Sequence, residues 1–171
     1  MDEDHQTSDV SQETLAAGLY LRPLEPSDRA EVAGFFQGLS PESRYRRFLS
    51  PKPVLSQREL TYLTVVDHRW GEALAALEPR ECAIVGVAHY GGEVGRPGVA
   101  DVAVVVADEW QQQGIGTALG RSLIARARVN GFRRLTATTM WENRPARALL
   151  RGLGFYARAS QGHLIELEFD L

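Results

Sequence analysis

Near the middle of the chain, Gln111-Gln112-Gln113-Gly114-Ile115-Gly116 has the make-up of a loop that grips an anion. It follows Val104-Val105-Val106, a β-branched apolar run typical of a strand buried on both faces, which Asp108 breaks. From Thr117 onward, Ala118, Leu119, Leu123, Ile124 and Ala127 recur at helical spacing. The stretch predicts strand, tight loop, helix. The first N–H groups of a helix have no partner within it, and the helix dipole adds partial positive charge there. Gly114 and Gly116 carry no side chain to hold a ligand off that backbone, so the loop suits a pyrophosphate. Neither G-x-G-x-x-G nor a Walker loop fits, because Leu119 follows the second glycine and no lysine does.

The elements that position this loop read in order along the chain. Leu19 to Arg22 makes a short strand, and Ser27-Asp28 caps a helix carrying Val32, Phe35, Phe36 and Leu39. Ser40-Pro41 opens a second helix presenting Arg44, Tyr45, Arg46, Arg47 and Phe48. Ser56 caps a third, with Leu60, Leu63 and Val66 on one face. Strands are expected over Ala73–Leu77 and Cys82–Tyr90, with a turn at Gly91-Gly92, then over Val99–Ala107 and Leu135–Met140. Asn143 begins a last helix with Pro145 in its first turn, and Phe155–Arg158 and His163–Phe169 close the sheet. The result is one mixed α/β domain over residues 18–171.

Composition sets the bounds. The 171 residues are 44% hydrophobic and 24% charged, ordinary for a soluble globular domain. No apolar run approaches membrane-spanning length, and the N-terminus is acidic, so neither a membrane span nor a signal peptide is expected and the cytoplasm is the default location. Asp2, Glu3, Asp4, Asp9 and Glu13 have no basic neighbours, and without them the net charge of −3 becomes about +2. Residues 1–17 therefore read as a disordered acidic tail. Lys52 is the single lysine, and no basic stripe interleaved with aromatics points to nucleic acid. Cys82 is the sole cysteine, which rules out an intrachain disulfide and a Cys-rich zinc site; it reads as a buried strand residue. No metal is expected.

The Gln-x-x-Gly-x-Gly pattern at 111–116 resembles the acyl-CoA pyrophosphate loop of the GNAT superfamily of acetyltransferases. A second motif is similar to that superfamily's last one: Asn143-x-x-Ala146-x-x-Leu149-Leu150, ending at Gly154-Phe155. Leu39 to Phe48 and Val65-Val66-Asp67-His68 look like segments of bacterial Pat-type protein-lysine acetyltransferases. This resemblance implies a GNAT-like α/β (α+β) fold, a mixed and mostly antiparallel central sheet of six to seven strands flanked by helices. It implies acetyl-CoA as cofactor, held by Val104, Val105 and Val106, by Gln111, Gln112, Gln113, Gly114, Ile115, Gly116 and Thr117, and by Asn143, Ala146 and Arg147. Asn143 is equally a plain N-cap. A monomer or a homodimer fits this resemblance.

Acetyl transfer to an amine needs that amine neutral. A lysine of pKa ~10.4 costs about 4–5 kcal/mol to deprotonate at pH 7, so a general base helps. The resemblance assigns that role to Asp101, where Pat-like enzymes carry a glutamate; Glu72, Glu81, His89 and Glu93 are weaker candidates on neighbouring strands. Leu150 stands where many relatives place a tyrosine acid. Its loss is tolerable, because expelling a thiolate of pKa ~8.5 unprotonated at pH 7 costs only about 2 kcal/mol. Met140 and Trp141 lie beside the expected acyl site, with core packing the simpler role for Met140. Direct transfer to an amine is expected, to a protein lysine or a small molecule, against the alternative of a CoA-binding sensor without turnover.

Overall fold

The structure, a computed structural model, describes residues 13–14 and 18–171. The acidic tail lies outside the described residues except for Glu13 and Thr14, which form a two-residue strand, β1, opposite Leu21 and Tyr20. The remaining strands are β2 (Tyr20–Pro23), β3 (Gly71–Leu77), β4 (Ile84–Gly92), β5 (Val99–Val106), β6 (Arg134–Met140), β7 (Tyr156–Gln161) and β8 (Leu164–Asp170). The helices are α1 (Arg29–Gly38), α2 (Pro41–Phe48), α3 (Gln57–Thr64), α4 (Ile115–Val129) and α5 (Arg144–Gly152). The strands form one sheet in the order β1-β2-β3-β4-β5-β6-β8-β7, antiparallel throughout except for β5 beside β6. From Tyr20 onward this is the seven-stranded mixed sheet that the sequence implies; β1 extends one edge.

Each face of the sheet carries its own core, because alternate strand residues point to opposite sides. Val32, Phe35 and Phe36 of α1 and Leu60 and Leu63 of α3 pack on Ala73, Ala75, Val87 and Val105. Leu119, Leu123 and Ala127 of α4 and Leu150 of α5 pack on Leu74, Ala88, Val102 and Ala137. A 3₁₀ turn over Pro26–Asp28 leads into α1, so the chain turns before the helix proper, and Asp28 accepts both Arg22 Nη1 and Nη2 at 2.7 and 2.6 Å. Ser40 and Ser56 cap α2 and α3, accepting from the N–H groups of Ser43 and Glu59.

Two sequence expectations are corrected here. Cys82 is exposed, with φ 54°, in the turn before β4 rather than in a buried strand. The Glu78 carboxylate accepts from the N–H groups of Arg80 and Glu81, and Glu78 N–H donates to the Ala83 carbonyl, which draws Cys82 into the hairpin. Gly91 and Gly92 are not a turn but the end of β4. A Cβ on Gly91 would stand 2.1 Å from the Tyr62 hydroxyl, and one on Gly92 2.4 Å from the Trp70 ring. Glycine serves here for side-chain approach, not for a turn conformation.

Candidate active site

β5 and β6 pair at only three rungs: Val99 with Arg134, Ala100 with Leu135, and Asp101 with Thr136. Beyond them β5 stays registered with β4 as far as Val106, while β6 stays registered with β8 as far as Met140. The two strands part, and a cavity of about 710 Å³ opens between them. Val102 to Val106 form one wall and Ala137 to Thr139 the other. The start of α4 and the Asn143–Leu150 segment close it on one face of the sheet, and Ser43, Arg46 and Arg47 of α2 roof it on the other.

The glycine loop meets this cavity with free backbone donors. The first helical bond of α4 runs from Ala118 N–H to the Gly114 carbonyl at 3.0 Å, so the N–H groups of Ile115, Gly116 and Thr117 have no intrahelical acceptor. Gly114 holds φ 84°, a left-handed conformation that glycine adopts without strain, and a Cβ there would meet open space. At Gly116 a Cβ would lie 3.1 Å from Leu149 Cδ2, so the missing side chain lets α5 approach α4. The wall facing β6 from Val102 to Val106 is an unpaired strand edge, with the Val106 carbonyl accepting Gln111 Nε2 at 3.1 Å. Free N–H groups at a helix start, an open strand edge and a cavity of this size fit a nucleotide pyrophosphate continued by an amide-bearing arm.

Of the residues singled out for cofactor binding, Val104, Val105, Val106, Gln111, Gln112, Gly114, Gly116, Thr117, Asn143 and Ala146 line the cavity. Gln113, Ile115 and Arg147 do not. Gln113 turns its carboxamide back to the Glu109 carbonyl, Ile115 is buried in the core, and Arg147 lies over the Trp141 ring at 4.0 Å while donating to the Trp141 carbonyl. Asn143 is buried and its Oδ1 accepts the Ala146 N–H at 3.2 Å, an N-cap at the cavity wall. Met140 is buried beside the cleft's end and Trp141 is exposed.

A profile of the Acetyltransferase (GNAT) family matches residues 28–155. The chain is a GNAT acetyltransferase. Its cofactor is acetyl-CoA. It is 36% identical to an acetyltransferase of Pseudomonas aeruginosa over 137 residues, 79% of this chain and 73% of that one. It is 32% identical to the acetyltransferase Pat of Mycolicibacterium smegmatis over 139 residues, again 79% of this chain, but it spans only 40% of that protein's length. The crystal structure of the GNAT domain of S. lividans PAT superposes with a TM-score of 0.85 at 27% identity, covering 94% of this chain and 96% of that one.

The titratable groups of this GNAT domain sort clearly by position. Asp101 stands on the last rung before the strands part, and a second cavity of about 610 Å³ includes it together with Glu93 and Thr136. Thr138, two residues beyond Thr136 on β6, lines both cavities. Asp101 is exposed as a residue, yet partial loss of water around its carboxyl pushes it up to about 6; Arg47 opposes this, Glu93 adds to it, and Thr136 Oγ1 at 3.5 Å opposes it weakly. Thr136 itself lies 2.7 Å from Glu93 Oε1. Asp101 and His89 share a sheet face, since their cross-strand partners are Gly91 and Ala103. Burial, reinforced by Arg47, holds the His89 imidazole neutral, and Arg47 Nη2 lies 3.1 Å from Nδ1. Burial also lowers the Arg47 guanidinium to about 10, with Asp101 as its strongest electrostatic support.

The other base candidates are placed elsewhere. Glu72 is buried on the opposite sheet face, bonded to His68 Nδ1 at 2.8 Å and Arg126 Nη1 at 2.9 Å. Glu81 is exposed in the β3–β4 turn. Sequence reasoning missed the roof, formed by Ser43 together with Arg46 and Arg47, and also Trp110 and Arg144 at the cavity wall. Adjacent arginines on one short helix were the available signal for the roof, but a solvated helix face carries the same pattern.

Proposed function

We propose that this GNAT domain transfers the acetyl group of acetyl-CoA directly to a primary amine, with Asp101 as the general base. The carrying observation is the position of Asp101 on the last rung before the strands part, in the cavity beside the cleft, with a carboxyl pushed up to about 6. A base with a pKa just below the working pH is ionised yet still able to accept a proton. Acetyl-CoA supplies the thioester. The free N–H groups of Gly116 and Thr117 and the loop around Gly114 hold its pyrophosphate, with Arg144 adding positive charge at the cavity. The open edge of β5 from Val104 to Val106 orients the pantetheine arm as an added strand. On the α2 face the amine presents its proton to the Asp101 carboxylate and attacks once neutral. Leu150, buried at the cavity wall, supplies no proton, and the thiolate leaves unassisted at about 2 kcal/mol.

Among amines, a protein lysine is the favoured acceptor. The Pat-like segments at Leu39–Phe48 and Val65–His68 and the likeness to the GNAT domain of S. lividans PAT support this. Acetyl-CoA turnover is to be followed by thiol release with three acceptors: a mixture of bacterial proteins, N-α-acetyl-lysine amide, and a panel of small amines. Acetyl-lysine appearing on proteins supports the reading. Turnover confined to small amines overturns the protein acceptor, and acetyl-CoA binding without turnover on any acceptor overturns the enzyme mechanism.

A further inference from the structure

α2 roofs the acceptor half of the cleft, yet it is joined at one end to the loop that takes the cofactor. The link is one carboxylate. Asp108, in the 3₁₀ turn Asp108–Trp110 after β5, accepts Ser40 N–H at 3.0 Å, Ser40 Oγ–H at 2.8 Å and Ser43 Oγ–H at 2.7 Å. Gln111 Nε2 lies 3.4 Å from the same Ser43 hydroxyl, while its 3.1 Å bond holds the end of β5. Ser40 is also the N-cap of α2, so Asp108 grips the helix where its geometry is set.

We propose that Asp108 is a positioning residue that ties the cofactor loop to α2, so that cofactor binding fixes Arg47 on the acceptor side. This rests on the assignment of the Gln111–Thr117 loop to acetyl-CoA. The two partners of the link are held very differently. The loop has anchors of its own: Trp110 N–H to the Ala107 carbonyl at 2.9 Å, Gln113 Nε2 to the Glu109 carbonyl at 3.0 Å, and Ile115 and Leu119 in the core. The far end of α2 is seated by the Phe48 ring, 5.6 Å from that of Phe36, and by Arg47 against His89. Its near end is hydrogen-bonded to the cofactor loop through Asp108 and Gln111, next to Leu39, which is buried with α1 and α3, while Arg44 further along donates to the Pro53 carbonyl at 2.9 Å. Cutting the link therefore loosens the near end of the roof and spares the loop. A carboxylate that only stabilised the fold would loosen α2 without changing how α2 responds to a ligand bound at the loop.

Amide hydrogen exchange over residues 41–48 and 111–117, with and without saturating acetyl-CoA, tests this without needing the acceptor. In the wild type, acetyl-CoA should slow exchange in both segments, by about 5-fold or more in α2. In Asp108→Ala, and in Ser43→Ala as a milder cut from the other side, loop protection should remain while the α2 response shrinks to what direct contact of α2 with the cavity supplies, by about 3-fold or more. An α2 response undiminished in both variants overturns the proposal, as does a wild-type α2 indifferent to acetyl-CoA while the loop is protected. If acetyl-CoA fails to protect the wild-type loop, the cofactor assignment fails instead. The coupling falls with it, whereas unchanged α2 exchange in the free Asp108→Ala protein overturns the link even where the loop is protected.

Discussion

Asp101 and Thr136 face each other on the last rung of the one parallel strand pair among the described residues, and the cleft begins one residue beyond them. The carboxylate is thereby fixed by a paired backbone while its side chain lines the cavity beside the cleft. A general base needs this combination of rigid placement and access.

Asp101→Asn keeps the shape and removes the proton acceptor. The rate constant for acetyl transfer should fall by about 10²–10⁴ at neutral pH, the usual worth of a positioned base. Acetyl-CoA affinity by calorimetry should hardly change, because Asp101 does not line the larger cavity. Raising the pH should restore part of the rate, since more amine is then neutral unaided. Wild-type rates in the variant would show that the base lies elsewhere, with Glu93 next in reach.

Gly116→Glu places a side chain where Leu149 stands 3.1 Å from the Cβ position and a negative charge at the helix start. Saturating acetyl-CoA should raise the wild-type melting temperature by about 5–10 °C, as expected for roughly 2.7 kcal/mol of linkage in a domain of this size. The variant should show no such shift. An undiminished shift would remove the loop from the cofactor site.

Glu72 offers a control for the opposite face. It is 1% exposed and bonded to His68, Arg126 and the Ala73 N–H. Glu72→Ala breaks a buried ionic network and should destabilise the fold by about 2–3 kcal/mol, less than a fully buried pair because Arg126 keeps some access to water. Chemical denaturation measures this. The rate constant at a temperature where the variant is folded should stay within about 3-fold of wild type. A loss as large as that of Asp101→Asn would place Glu72 in the chemistry.

How much of this was legible in the sequence depends on how local each feature is. The loop and the α5 start could be read because Gly114 and Asn143 answer demands of their own backbone, a left-handed residue and an N-cap. The cleft itself was not, because it arises where β6 leaves β5 while staying in register with β8, thirty residues downstream in the chain. The roof over it depends on Asp108 meeting Ser40 and Ser43 from 68 and 65 residues away. Cys82 was misread because Cys82-Ala83-Ile84-Val85 looks like a strand start, whereas the bonds made by Glu78 claim its first two residues for the hairpin.

The charges facing Asp101 set the pH at which it can act. Arg47 faces it from α2, Glu93 from the turn just after β4, and Thr136 from β6, with His89 held neutral nearby. A base works only when deprotonated, so kcat/KM for the amine should acquire an added acid limb near pH 6, the Asp101 value, rather than near the ordinary carboxylate value of ~4. The amine's own ionisation contributes one power of ten per pH unit throughout, so the limb shows as a log–log slope rising from 1 toward 2 as pH falls. Removing the Arg47 charge takes away the group that favours the ionised carboxylate, and Arg47→Gln should move the limb to higher pH. Removing the Glu93 charge relieves repulsion, and Glu93→Gln should move it to lower pH. Opposite displacements by two variants that flank the same carboxyl cannot come from a general loss of structure. Limbs that coincide in all three proteins would mean that the titrating group is not Asp101.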